Sequence, residues 1–103
     1  MNAVEIPFDT TRTFVEEAAS VMFFARVGER TVRCYVTRSA LESYFGADAD
    51  HDALESSACL RAFDANARRI EAIARECLGS NGAGVRTVVL NADTVFRVLA
   101  RMH

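Results

Sequence analysis

Four stretches of this chain have residue types and spacing that could do chemistry. They are the acidic tract ADADHD at residues 47–52, the three cysteines Cys34, Cys59 and Cys77, the glycine-rich GSNGAG at 79–84, and AFDANARRIEAIAR at 62–75. Asp48, Asp50, His51 and Asp52 raise the question of a divalent cation. A calcium loop of the EF-hand kind needs a glycine at its sixth position and a glutamate at its twelfth. Counted from Asp48 these positions are Ala53 and Cys59, so the pattern fails. The tract reads as a solvated loop whose acids suit the positive end of a following helix.

The cysteines contain no C-x-x-C pair. The two histidines, His51 and His103, have no ligand-like spacing to them, so the four-ligand zinc pattern is absent. A reactive cysteine needs a cationic neighbour or a helix N-terminus to depress its pKa. Cys34 sits in a strand-like run where Arg33 points to the opposite face, so it reads as a small buried residue. Cys77 falls on a helical core stripe and reads the same way. GSNGAG lacks the lysine of a phosphate loop, and its glycines precede a strand, whereas a dinucleotide turn places them after one. Neither G-x-S-x-G nor H-E-x-x-H occurs. No motif argues for an enzyme, and no cofactor or metal is expected.

In AFDANARRIEAIAR the apolar stripe runs through Phe63, Ile70, Ile73, Ala74 and Cys77. Asp64 with Arg68 and Glu71 with Arg75 are acid-before-base pairs at i,i+4, each worth about 0.2–0.5 kcal/mol on an exposed helix. They account for the outer charges without a ligand. Asn66 is the exception, because it lies inside the apolar stripe. A buried amide without partners costs about 1–3 kcal/mol. Asn66 is therefore either a structural amide bonded to a loop or strand end, or a polar group lining a cleft.

The elements that must position these residues follow from hydrophobic period and turn chemistry. VEIPF reads as a short first strand at an edge, since its proline cannot donate to a central ladder, and DTTRT as a turn. Residues 19–27 and 31–37 alternate apolar and polar residues across a glycine turn, the pattern of a β-hairpin. Ser39 is a good N-cap for a short helix that Gly46 stops. A longer helix runs from about Ala53 to Leu78, with SSA as a place where it could break and Gly79 as its end. VRTVVL is the next strand. Asn91 caps a last helix with Val95, Val98, Leu99 and Met102 inward. The order is β-β-β-α-α-β-α. Such segregation gives a single α+β domain over residues 1–103: a small antiparallel or mixed sheet with helices packed on one face. The other sheet face carries Arg33, Tyr35 and Thr37.

Composition bounds the function classes. With 50% hydrophobic residues the chain can build a core without disulfides, and an odd number of cysteines points to free thiols in a reducing compartment. No apolar run approaches the ~20 residues of a membrane span. The opening MNAVEIPFDT lacks the basic-then-apolar order of a signal peptide, so the expected location is the cytoplasm. The formal net charge of −2 counts against a general nucleic-acid binder. All basic residues are arginine, which reads as a coding bias of a GC-rich bacterial genome and removes lysine-based chemistry.

The combination RCYVTRSALESYFGA, AFDANARRIEAIA and VVLNAD resembles the small bacterial family known as domain of unknown function 1488, from roughly Val4 to Asp93. The resemblance implies a compact α+β fold and strand structure over Ala19 to Val27. It implies no activity, and it carries no catalytic residue over. Taken together, the expectation is a binding, interaction or regulatory module without catalysis, as a homodimer or with another protein, acting through the exposed sheet face or the last helix. Asn66, Arg33, Tyr35, Arg38 and Arg69 are its candidate binding residues. One alternative is a nucleic-acid-associated regulator using a patch of Arg33, Arg38, Arg68 and Arg69. The other is a small-ligand binder or enzyme with a cleft near Asn66 and Cys34.

Overall fold

A computed structural model describes residues 6–47, 55–81 and 86–102. Among these residues, four strands and four helices follow in the order β1 (Thr13–Val15), β2 (Ser20–Val27), β3 (Arg30–Thr37), α1 (Arg38–Tyr44), α2 (Glu55–Ala65), α3 (Ala67–Asn81), β4 (Thr87–Leu90) and α4 (Ala92–Arg101). The fold is α+β. Its sheet is mixed, in the order β1-β2-β3-β4, with antiparallel pairs except β3 with β4, which run parallel. A parallel pair needs a long crossover, and α1, α2 and α3 lie on it.

The β2–β3 hairpin is fixed by its turn. Val27 faces Arg30 across a two-residue turn, and only Gly28 in that turn has positive φ, at 65°. A glycine in the first central position is the requirement of a type II′ turn, whose twist matches that of the strands. The edge strand differs from expectation. Thr13–Val15 pairs with Ser20–Met22, while the described end of VEIPF contributes one bridge, Phe8 to Ala25, with Pro7 O accepting from Arg26 N and Asp9 N donating to Phe24 O. The segment around Pro7 thus runs along β2 without becoming a full strand, as its missing donor requires. DTTRT leads directly into β1.

Register stacks the core in rows. Phe14, Val21, Val36 and Leu90 align across all four strands, followed by Phe23, Cys34 and Val88. All of these except Phe14 are buried. The helices cover this one face. Phe63 from α2, Ile70, Ile73 and Ala74 from α3, and Val95 and Val98 from α4 are buried against it. An aromatic row crosses the interface: Phe8 lies 5.9 Å from Phe23, which meets Phe63 edge-on at 4.9 Å. Arginines close both ends, Arg12 at 4.7 Å from the Phe63 ring and Arg75 at 5.1 Å from Phe8.

Several boundaries depart from the sequence reading. α1 starts one residue after Thr37, whose Oγ1 accepts from Ala40 N at 3.2 Å, so Thr37 is the cap and Ser39 lies inside the helix. The long helix divides at Asn66, not at SSA, so that among the described residues three helices lie between β3 and β4. α3 continues through Gly79 to Asn81. Asn91 caps α4 as expected, accepting from Thr94 N at 2.8 Å, but Met102 stays 46% exposed. Asp64 and Glu71 form ion pairs with Arg12, where neighbours on their own helix were expected. The acidic tract Asp48, Asp50, His51 and Asp52 lies outside the described residues.

Two glycines test the backbone account with the same substitution and opposite signs. Gly46 sits at φ 77° with open space around its Cβ position, and Ala47 N reaches back to Leu41 O at 3.0 Å. Gly46→Ala should cost about 1–2 kcal/mol, the backbone penalty of that region. Gly79 lies within α3, also with open space. Gly79→Ala should gain about 0.5 kcal/mol, the low end of the range because the helix ends two residues later. Urea unfolding should move the two midpoints in opposite directions.

Candidate functional site

Among the described residues, the helices pack on one face of the sheet and leave the second face uncovered. The pleat that turns Val21, Phe23 and Ala25 inward turns Met22, Phe24 and Arg26 outward, and on β3 it turns Thr31, Arg33, Tyr35 and Thr37 outward. Register again forms rows. Thr13, Met22, Tyr35 and Val89 align across the four strands, and Phe24, Arg33 and Thr87 align beside them. Met22, Phe24 and Tyr35 are half-buried, and Arg26 and Arg33 are exposed. A shallow groove of about 350 Å³ runs among Phe24, Thr31, Arg33, Arg86 and Thr87. Arg86 O accepts from Arg33 N at 3.4 Å, which holds the two arginine backbones together.

Of the residues named from sequence, the fold brings Arg33 and Tyr35 onto this face. Arg38 stands at the start of α1, where its Nε lies 2.7 Å from Glu42 Oε2. Arg68 and Arg69 belong to the first turn of α3, in the helical layer, and the Arg69 guanidinium lies 5.5 Å from the Phe45 ring. The four arginines considered together from sequence therefore divide between the two layers. Phe24, Met22, Arg26 and Arg86 join Arg33 instead. The three on β2 share one phase of the alternation that identified that strand, so their outward side was present in the sequence.

Asn66 occupies the break between α2 and α3. Its Nδ2 donates to Phe45 O at 3.0 Å and to Ala62 O at 2.9 Å. Its own carbonyl accepts from Ile70 N, and its N–H donates to Phe63 O, each at 3.0 Å. One amide thus joins the end of α1 to the end of α2 and begins α3. A recess of about 320 Å³ lined by Asp64 to Arg69 opens beside it, but Cys34 is not part of that recess. Cys34 faces the filled core with no exposure. Burial, reinforced by nearby Cys77 and opposed by a backbone hydrogen bond at Ala25, pushes its thiol up from 9.0 to about 12. A thiol so protonated is no nucleophile at neutral pH. Burial also raises Cys77, with Arg101 lowering it and Glu76 raising it. Among the described residues no group of three His, Cys, Asp or Glu could hold a metal ion, and no helix is long and apolar enough to cross a membrane.

Two outcomes test these assignments. Asn66→Ala strips the donor from two carbonyls and should cost about 1–3 kcal/mol in chemical denaturation. Asn66→Asp should cost more, because a carboxylate oxygen would face the carbonyls. Wild-type stability in Asn66→Ala would refute the bridging role. Cys34 holds its proton longer in the folded chain than in the unfolded one. The unfolded state therefore gains as pH rises above 9.0, and stability falls from there toward about 12. Cys34→Ala should flatten that alkaline slope, and equal slopes in the two proteins would contradict it.

Comparison with curated proteins and with solved structures gives no match in either. A family model described as a protein of unknown function, DUF1488, matches residues 6–86. The match takes in β1 to β3 and α1 to α3, and ends before β4 and α4. On that match, which covers most of its length, the chain belongs to the DUF1488 family.

Proposed function

We propose that the protein is an interaction module without catalysis that works as a pair of copies joined along β4 and α4. One observation carries this reading. The large apolar side chains that stay exposed among the described residues are Val89 at 49%, Phe96 at 59% and Met102 at 46%. All three lie on β4, on α4 or at its end, and β4 is the last strand of the sheet. An unpaired strand edge offers a row of backbone donors and acceptors to a second chain. Exposed apolar side chains flank that edge, Val89 on the open face of the sheet and Phe96 on the helical layer, and supply the burial that hydrogen bonds alone do not. A groove of about 550 Å³ along α4, between Cys77 and Phe96, extends that surface.

A bacterial cytoplasmic setting goes with this reading. None of the three cysteines is held in a disulfide, which suits a reducing compartment. Light scattering on the purified chain should give twice the 11.3 kDa chain mass. Phe96→Glu should return the single mass while staying folded, because the ring contributes to no core, and its thermal midpoint should no longer rise with protein concentration as that of the wild type does. A wild-type chain of single mass at its highest soluble concentration would overturn the proposal.

A further inference from the structure

The open sheet face has a composition that pairing along β4 leaves unused. On the four strands no outward position is aspartate or glutamate, and the charged outward side chains are Arg26 and Arg33. Arg86 joins them at the groove. None of these three arginines forms an ion pair with any described residue, although Arg12, Arg38 and Arg97 do. In a chain with fourteen acids and net charge −2, that is a segregation of charge. The nearest acids stand at the margins: Glu29 in the hairpin turn, Asp9 beside Phe24, and Glu16 and Glu17 in the turn before β2.

Two rings lie between these charges. Tyr35 is paired with Met22 and Phe24 with Arg33, so the rings are diagonal neighbours on adjacent strands, roughly 7–8 Å apart. An extended single strand spans that interval between consecutive bases. Flat rings spaced along a cationic surface are the arrangement that stacks unpaired bases while guanidinium groups meet the phosphates. We propose that this face binds single-stranded nucleic acid, with bases on Tyr35 and Phe24 and the backbone along Arg26, Arg33 and Arg86. A duplex fits poorly. Four strands measure about 14 Å across, whereas a major groove of about 12 Å admits a two-stranded ribbon. An acidic peptide would use the arginines and leave the rings without a role.

The negative net charge sets the expected strength. Long-range steering is missing, so binding is local and salt-sensitive. The test is a fluorescence-anisotropy titration of the full chain against a short labelled oligothymidylate, at about 50 and about 200 mM salt. Saturable binding at the lower salt should weaken at the higher. With no tryptophan and two tyrosines in the chain, quenching of tyrosine emission reports stacking independently. Tyr35→Ala should weaken binding about 5- to 150-fold, the effect of losing one stacked base, and Tyr35→Phe should retain it. Arg33→Ala should lower the logarithmic salt slope by about 0.7. The same titration on Phe96→Glu separates this face from pairing through β4. The proposal falls if the oligonucleotide fails to bind at low salt. It falls equally if duplex DNA, polyphosphate or polyglutamate binds as tightly, or if Tyr35→Ala binds like the wild type while remaining folded.

Discussion

The break at Asn66 is the constraint from which the packing follows. From Glu55 to Asn81 a single straight helix would run about 40 Å. The longest strands beneath it have eight residues and span about 27 Å. An unbroken helix would overhang the sheet and leave part of its apolar stripe uncovered. Dividing it by one residue lets Phe63 before the break and Ile70 after it both reach full burial. The division leaves carbonyls without helical donors, and the Asn66 amide supplies them, one on its own helix and one at the end of α1. A residue that looked misplaced on an apolar stripe is what allows the stripe to be buried.

The same region shows why charges on a helix are hard to assign from spacing. Asp64 and Glu71 have arginines at i+4, yet both form ion pairs with Arg12, from the segment before β1. The local pairs are worth a few tenths of a kcal/mol in water. Arg12 offers in addition its guanidinium face to Phe63, in a partly dry contact where such an interaction strengthens. Arg75, left without its sequence neighbour, lies over Phe8 and donates to Ile6 O at 3.3 Å. Two arginines thus tie the N-terminal segment across the helices at both ends of one aromatic row. The arrangement depends on contacts more than fifty residues apart, which no local period records.

What the sequence made legible was whatever a local rule determines. The alternation in β2 and β3, the Gly28 turn between them and the Asn91 cap follow from periods and single residues, and they appear as expected. The α+β class followed from the order of those elements. A three-residue strand at Thr13 has no period to detect, and Thr37 and Ser39 are both acceptable caps until the hairpin's register selects one. The candidate surface was half legible for the same reason. Arg33 and Tyr35 stand on one strand, so alternation alone placed them outward. Met22 and Phe24 lie on the hairpin partner, where the same alternation turns them outward, but Val89 comes from a strand whose pairing the sequence left open, and Arg38, Arg68 and Arg69 stand on helices.

That separation bears on how the net charge should be understood. An average over the chain counts against a polyanion partner, because it treats the acids as if they surrounded every arginine. The fold divides them instead. The helical layer places Asp64 and Glu71 against Arg12 and Glu42 against Arg38, so much of its charge is internally compensated. The open face has no such acids on its strands. Water screens charges beyond about 10 Å at moderate salt, so a ligand lying on that face responds mainly to the arginines and rings it touches. For a sheet with one uncovered side, the charge relevant to binding is that of the uncovered side, and here every charged residue that its strands turn outward is an arginine.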